Sequence, residues 1–201
     1  MIKKNSKYLA LILARKNSKR LKNKNILKLN NKPLISWTLN KLLKIKPLFS
    51  DIVVSSDSEI IQKIVEKNNF IFIKRPKKYS TDKVSSEASA IHATNYYVKK
   101  YKKKIDYVIL LQPTSPFRKN STIKKAIYYS KIYPKKQIVS TNTKNELNGV
   151  LYLTPLKTLE NKKNFSYKNF KPLIIKSKKE SLDIDSRKDF LEAKNYLKNK
   201  L

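Results

Sequence analysis

A cationic loop follows the first aliphatic run of the sequence. Residues 15–25, RKNSKRLKNKN, carry almost only cationic and amide side chains. Arg15, Lys19 and Lys24, together with backbone N–H groups of a turn, could bind a polyphosphate, because a guanidinium binds phosphate oxygens bidentately and an ammonium acts as a flexible point charge. Phosphate loops usually use glycine for left-handed backbone, and here Asn17 is the residue best suited to that conformation. A basic surface loop without a ligand is the alternative interpretation in a chain this rich in lysine.

Two carboxylates stand two residues apart near the end of the chain, in SLDIDSRKDF (181–190). Because alternate residues of an extended segment point the same way, Asp183 and Asp185 would converge. Such a pair suits Mg2+, which takes oxygen ligands, retains several waters and bridges to substrate phosphates. The alternative is that Asp185 or Ser186 only caps the last helix. In a chain with 14 acidic residues, the pairing favours a functional role.

Two further segments place polar side chains after apolar strands. In LLQPTSPFR (110–118) a buried strand brings Gln112 and Thr114 into a turn that two prolines stiffen, and such a turn can hydrogen-bond a hydroxylated ligand. Proline-rich turns also occur as plain chain reversals, so this signal is weaker. RPKKYSTDKVSSE (75–87) follows a strand and enters a helix, a position suited to reading the edge of a base. We expect the single histidine, His92, to be a packed residue rather than a metal ligand.

The composition restricts the class of protein. The formal net charge of +33 would suit phosphate neutralisation in a nucleic-acid complex, but the lysines are spread along the whole chain. We attribute most of the charge to general drift in composition and do not expect nucleic acid or a membrane as a partner. No stretch approaches the roughly 20 apolar residues of a membrane span, and the N-terminal apolar run lacks a signal-peptide cleavage pattern. The absence of cysteine excludes disulfides and fits a cytoplasmic location.

Strand-like and helical segments alternate along the chain, which is typical of an α/β fold. Near-continuous apolar strands predict a mostly parallel sheet with helices on both faces, in a single domain over 1–201. The Asn148–Gly149 pair predicts a hairpin turn. Ligand sites in such sheets form outside the carboxyl ends of the strands, so we expect the polar segments to meet there. The predicted strands are 7–14, 51–57, 70–76, 106–116 with a proline-rich end, 137–141, 149–154 and 172–177, and the predicted helices are 33–45, 58–69, 85–101, 121–132 and 186–200.

Taken in order, these segments resemble the acylneuraminate cytidylyltransferase family, whose members activate sialic acid and related nonulosonic acids as CMP-sugars. The likeness covers nearly the whole chain. It is carried by LARKNSKRLKNKN, KPLISWTL, VVSSD, RPKKYSTDKVSS, LLQPTSPFR, NGVLYL and DIDSRKDF. The resemblance implies a Rossmann-like nucleotidyltransferase domain with three α/β/α layers.

The resemblance also implies a reaction and its residues. CTP and a free sugar acid would give a CMP-sugar and pyrophosphate with Mg2+, as the anomeric hydroxyl attacks the α-phosphate. Arg15 and Lys24 would neutralise the triphosphate with help from Lys19, and together with Asp185 they are the catalytic candidates. The other roles implied by the match are nucleotide binding for Asn25, cytosine contacts for Arg75 and Ser86, metal binding for Asp183 and Asp185, and sugar contacts for Gln112, Thr114 and Tyr152.

The chain departs from the family pattern in two places. Between IVST and NGVLYL it has only NTKNEL, where relatives carry a longer segment that supplies sugar-carboxylate contacts and much of the dimer interface. A homodimer is therefore implied by the resemblance, with the usual interface segment shortened. In the first loop, Asn17 and Arg20 stand where many relatives have glycine.

The sequence is compatible with three functions. The first is transfer of CMP from CTP to a nonulosonic acid. The second is a related nucleotidyltransferase that uses a different sugar acid or has lost acceptor activity. The third is a basic protein that binds nucleotide or nucleic acid without turnover. The aspartate pair argues against the third, because binding RNA needs no carboxylate pair in a chain of net charge +33.

Overall fold

The computed structural model of this protein describes residues 6–198, which form one seven-stranded sheet and a separate two-stranded hairpin. The strands are β1 (Tyr8–Leu13), β2 (Lys28–Leu29), β3 (Lys32–Pro33), β4 (Asp51–Ser56), β5 (Ile71–Lys74), β6 (Tyr107–Leu110), β7 (Ile138–Thr141), β8 (Leu147–Pro155) and β9 (Lys171–Ile174). The order of the large sheet is β5-β4-β1-β6-β8-β7-β9. Every neighbouring pair in it is parallel except the two that β8 makes. The predicted mostly parallel sheet is therefore confirmed.

The helices fall close to their predicted positions. Ser58 and Ser85 cap the second and third helices, with their hydroxyls accepting from the backbone N–H groups of Ile61 and Ala88. Two short helices, α5 (Leu156–Lys162) and α6 (Lys178–Ser181), were not predicted. The helices are α1 (Leu34–Leu43), α2 (Glu59–Lys67), α3 (Ser86–Tyr101), α4 (Asn120–Ile132), α5 (Leu156–Lys162), α6 (Lys178–Ser181) and α7 (Arg187–Lys198). The last residues of the predicted helix 186–200 lie outside the described residues.

Strand β1 separates two hydrophobic cores, which gives the fold its three layers. Successive side chains of a strand point to opposite faces. Ala10 and Ile12 accordingly enter one core together with residues of α1, α2 and α4. Leu9 and Leu11 enter the other core together with residues of α3 and α5. The near-continuous aliphatic sequence of β1 is thus explained by burial on both faces.

A third, smaller core brings the end of the chain to the cationic loop. Ile184 and Phe190 pack in one cluster with Leu29, which lies in the β2–β3 hairpin directly after that loop. The backbone N–H of Ile184 also donates to the carbonyl of Thr114 at 2.8 Å. These contacts place residues 183 to 185 between the first loop and the turn after β6.

The prediction of a hairpin turn at Asn148–Gly149 is wrong. Chain reversal occurs at 142–146, where the Asn142 side chain accepts from the N–H groups of Lys144 and Glu146 and Asn145 adopts a φ of 61°. Gly149 lies inside β8 with a φ of 73°. A Cβ atom there would meet Asp183 Oδ2 at 3.0 Å, so glycine serves the close approach of β8 to this carboxylate.

The described helices also bear on the question of membrane insertion. Within residues 6–198, none of them combines the length and the apolar character that a bilayer crossing requires.

Candidate functional site

A cleft of about 260 Å3 opens where the carboxyl ends of β1, β5 and β6 meet. The loop after β1, the segment between β5 and α3, the turn after β6 and the approach to α7 all contribute to its lining. This is the position expected for a ligand site in a parallel sheet. The predicted site residues that line it are Arg15, Lys19, Lys24, Asn25, Arg75, Ser86, Gln112, Thr114 and Asp185.

Two hydrogen bonds hold the cationic loop, of which one joins its two ends and the other joins its start to the segment after β4. Buried Asn25 donates from its amide to the carbonyl of Arg15 at 3.0 Å. The backbone N–H of Lys16 donates to Asp57 Oδ1 at 2.7 Å, at the end of β4. The left-handed residue of the loop is Asn23, with a φ of 54°, so the expectation that Asn17 adopts this conformation is wrong. The loop reverses its direction just before one turn of 3-10 helix at 24–26, rather than near the start of the loop.

Two aspartates form ion pairs with the cations of the loop. Asp82, from the segment before α3, forms an ion pair with Arg15 across the cleft. Asp185 accepts from Lys24 Nζ at 2.5 Å and from the guanidinium of Arg20. Neither Asp82 nor Arg20 was predicted as a site residue. All three ion pairs are partly exposed to solvent, and a phosphate oxygen could replace either aspartate as the partner of these cations.

Arg75 is a buried cation on the floor of the cleft. Its Nε donates to Ser55 Oγ at 3.1 Å and its terminal nitrogen to the Ser55 carbonyl at 2.6 Å. Burial lowers its pKa to about 10, and the charge of nearby Arg15 adds to that effect while Asp57 opposes it. The guanidinium therefore stays charged at neutral pH, and a guanidinium carries N–H donors beyond those two bonds. Ser86 begins α3 beside it on the cleft wall.

The two readings of the aspartate pair are separated by the contacts at the start of α7. Ser186 caps the helix, because its hydroxyl accepts from the N–H of Asp189 at 3.3 Å. Asp189 in return accepts from the N–H groups of Asp185 and Ser186. The Asp185 carboxylate takes no part in this cap and instead meets Lys24 in the cleft.

Asp183 lies next to the cleft lining rather than in it. Ser115 Oγ donates to its Oδ1 at 3.5 Å. Burial raises the pKa of Asp183, the charge of Asp185 raises it further, and a hydrogen bond with Thr114 and the charges of Lys24 and Arg118 oppose the shift. The two carboxylates are thus close enough to repel one another. Among residues 6–198, no group of three or more His, Cys, Asp or Glu side chains is arranged to hold a metal ion.

Arg118 joins the turn after β6 to β8. Its guanidinium is fully buried and donates to the carbonyls of Gln112 and Val150, both at 2.7 Å. Burial lowers its pKa to about 10, and the charge of Asp183 partly offsets that shift. Arg118 therefore fixes Gln112 relative to the strand that carries Gly149.

Tyr152 and His92 also lie outside the cleft lining. Tyr152, in β8, packs its ring against Phe165 at a centroid distance of 5.8 Å. His92 packs its ring against Tyr79 at 4.4 Å, in agreement with its prediction as a packed residue. The structure therefore does not bring Tyr152 to the same cavity as Gln112 and Thr114.

Fold and cleft together define an α/β protein with a mostly parallel sheet, in which cations follow the first strand and the carboxylate of Asp185 meets them from near the end of the chain. The model of the family described as cytidylyltransferase matches residues 9–181. The chain belongs to this cytidylyltransferase family.

Curated relatives agree with that assignment. The chain is 30% identical to an N-acylneuraminate cytidylyltransferase of Escherichia coli over 92% of its own length, but it spans only 51% of that relative. It is also 30% identical to the CMP-N,N'-diacetyllegionaminic acid synthase of Legionella pneumophila, over 90% of this chain and 92% of that protein. A pseudaminic acid cytidylyltransferase of Campylobacter jejuni is 33% identical over 60% of this chain and 51% of its own length.

Solved structures show the same fold at low sequence identity. A CMP:2-keto-3-deoxy-manno-octonic acid synthetase complexed with CTP superposes with a TM-score of 0.74 at 13% identity, over 98% of this chain and 100% of that chain. A cytidylyltransferase from Leptospira borgpetersenii superposes with a TM-score of 0.71 at 18% identity, over 98% and 89% of the two chains. These likenesses establish the predicted three-layer nucleotidyltransferase fold.

Proposed function

We propose that this protein transfers CMP from CTP to a nonulosonic, sialic-acid-like sugar acid and releases pyrophosphate. The observation that carries the proposal is the meeting of Arg15, Lys24 and Asp185 in one cleft, although Asp185 is more than 150 residues from the other two. A triphosphate needs cations that converge, and a metal-assisted transfer needs a carboxylate beside them. The names of the relatives supply the nucleotide and the class of acceptor.

In this proposal the cations of the first loop bind the triphosphate. Arg15 and Lys24, with help from Lys19, exchange their aspartate partners for phosphate oxygens and neutralise the charge that develops as pyrophosphate leaves. Asn25 holds the loop closed around the nucleotide through its bond to the Arg15 carbonyl. Arg75 and Ser86 contact the cytosine. The attacking anomeric hydroxyl forms the new bond to the α-phosphorus as the bond to pyrophosphate breaks.

Asp183 and Asp185 are proposed to hold Mg2+. The pair fits the ion, because both ligands are carboxylate oxygens and each lies within the electric field of the other. Two protein ligands suffice for Mg2+, which completes its shell with water and substrate phosphates. When bound, the ion withdraws charge from the reacting phosphate. The Asp185 carboxylate accepts hydrogen bonds from two cationic side chains, so it is accessible to positive charge from the cleft.

Fewer residues surround the proposed binding site of the acceptor, the sugar acid. The turn at 142–146 is a compact hairpin in the place of the longer segment of relatives, which favours a second candidate, a nucleotidyltransferase with a different or smaller sugar acid. Gln112 and Thr114 are the proposed sugar contacts on the cleft, and Tyr152 would reach the sugar only from outside the present lining. A homodimer and a cytoplasmic location belong to the same proposal.

Pyrophosphate release tests the function directly. The protein is incubated with Mg2+, one of CTP, UTP, ATP or GTP, and one of Neu5Ac, legionaminic acid, pseudaminic acid or KDO. Release that requires CTP and a nonulosonic acid supports the proposal, and release with KDO alone supports the second candidate. Arg15→Ala is compared with Lys16→Ala, which removes the same charge next to the cleft without lining it. Only Arg15→Ala should raise KM for CTP, and equal loss in both variants would contradict the assigned role of Arg15.

A further inference from the structure

The lining of the cleft divides by chemistry between two chain segments. The loop after β1 supplies the cations, as described above. The segment 79–89 supplies a largely uncharged wall, in which Asp82 is engaged by Arg15. The neutral wall consists of Tyr79, Thr81, Val84, Ser85, Ser86 and Ser89. Because a triphosphate is drawn to the cations, the uncharged wall is left for the base and ribose of a nucleotide.

Tyr79 is the one aromatic side chain among the described residues that line this cleft. It stands at the end of a single 3-10 turn, 77–79, between β5 and α3. Planar heterocyclic bases gain binding free energy mainly by packing against apolar or aromatic surface, and the other members of the neutral wall are small.

The Tyr79 backbone and ring are held in place by the protein. Its N–H donates to the Pro76 carbonyl at 2.9 Å, and its carbonyl accepts from Ser89 Oγ at 3.2 Å. The ring packs against His92 at a centroid distance of 4.4 Å and an interplanar angle of 32°. Since His92 belongs to α3, the ring is attached to the helix that begins at the cleft. A preorganised ring loses little conformational freedom when a base packs against it.

We propose that Tyr79 is a base-binding residue, whose ring forms the surface against which the pyrimidine of the nucleotide packs. This inference rests on the proposed function, since it takes a nucleotide as the ligand. Tyr79 thus contributes to ground-state binding of the base, while the cations of the first loop bind the phosphates. Removal of the aromatic ring at Tyr79 should therefore raise KM for CTP and leave kcat close to the wild-type value.

Isothermal titration separates the base from the phosphates. Wild-type protein, Tyr79→Ala and Tyr79→Phe are each titrated with CTP and with inorganic tripolyphosphate. Tyr79→Ala should weaken CTP binding about tenfold, because base–aromatic contacts have about this effect when truncated. Tripolyphosphate binding should not change, and Tyr79→Phe should bind CTP as the wild type does. Tyr79→Leu replaces the alanine variant if the latter fails to fold.

The matched control is Tyr96→Ala, which removes a second tyrosine near His92 that does not line the cleft. This variant should bind CTP normally. The inference is overturned if Tyr79→Ala binds CTP as tightly as the wild type, if it loses CTP and tripolyphosphate equally, or if Tyr96→Ala shows the same loss. A wild-type protein that fails to bind CTP at all would instead contradict the proposed function.

Discussion

Replacement of Gly149 by alanine is expected to disturb Asp183 specifically. Two effects add at this position. The φ of 73° lies in the left-handed region, which costs a residue with a Cβ about 1–2 kcal/mol. The new Cβ would also meet Asp183 Oδ2 at 3.0 Å, so the carboxylate must move by a few tenths of an ångström. The backbone cost alone predicts a melting temperature lower by about 2–8 °C for a protein of this size.

The displacement of Asp183 should appear as an altered metal requirement. If Asp183 holds Mg2+ as proposed, the Mg2+ concentration for half-maximal pyrophosphate release should rise at least about tenfold in Gly149→Ala, because repositioning a ligand or its support typically changes metal affinity by about 10- to 100-fold. Thermal unfolding measures the stability change, and a Mg2+ titration of the initial rate measures the second effect. Direct Mn2+ binding followed by electron paramagnetic resonance gives a readout independent of turnover.

Asn145→Ala is the matched control, since Asn145 also has a positive φ, 61°, but lies in the exposed turn at 142–146. Alanine tolerates this conformation less well than asparagine, so stability should fall while the Mg2+ requirement stays unchanged. If Gly149→Ala keeps the wild-type Mg2+ requirement, or if both variants alter it equally, the argument that Gly149 makes room for a metal-binding carboxylate is refuted.

Three further substitutions test separate parts of the site. Asp185→Asn should abolish Mg2+-dependent pyrophosphate release with little change in melting temperature, because the carboxylate faces the cleft and not the cap of α7. Ser186→Ala should lower the free energy of unfolding in urea by about 1 kcal/mol, the usual cost of losing a helix cap, while turnover remains near the wild-type rate. Arg118→Met should lower that free energy by about 3 kcal/mol, because the carbonyls of Gln112 and Val150 lose their buried donor.

Each of these three expectations has a contrary outcome. Full turnover in Asp185→Asn would remove this residue from the metal site. A large loss of activity with unchanged stability in Ser186→Ala would mean that the serine acts in the cleft rather than as a cap. A melting temperature of Arg118→Met equal to that of the wild type would show that its buried hydrogen bonds contribute nothing net to stability.

Long apolar runs allowed much of the fold to be predicted from the sequence. The aliphatic run that becomes β1 is a local signal, and a local signal needs no knowledge of the rest of the chain. Strands β2 and β3 are only two residues long, which is too short for periodicity to register. The turn at 142–146 was missed because an asparagine side chain, rather than glycine, completes it.

The site residues divide in the same way. Arg15, Lys24 and Asp185 were proposed as site residues because each stands in a segment whose order along the chain is recognisable, and the structure brings all three to the lining of one cleft. The partner relationships were not predictable, since six strands and helices, from β2 to β5, lie between Arg15 and Asp82 along the chain and only the fold brings the two residues together. Tyr79 carries no signal of spacing or charge, and its position becomes meaningful only once the cleft that it lines is known.

Transfer of the CMP group itself is measured with CTP that is labelled in the α-phosphate. The protein is incubated with this CTP, Mg2+ and a nonulosonic acid, and the label is followed by chromatography. If the proposed function is correct, the label moves from CTP to a CMP-sugar and unlabelled pyrophosphate appears in equal amount. Label that stays in CTP, or that appears only as free CMP whatever sugar acid is supplied, would contradict the proposed function.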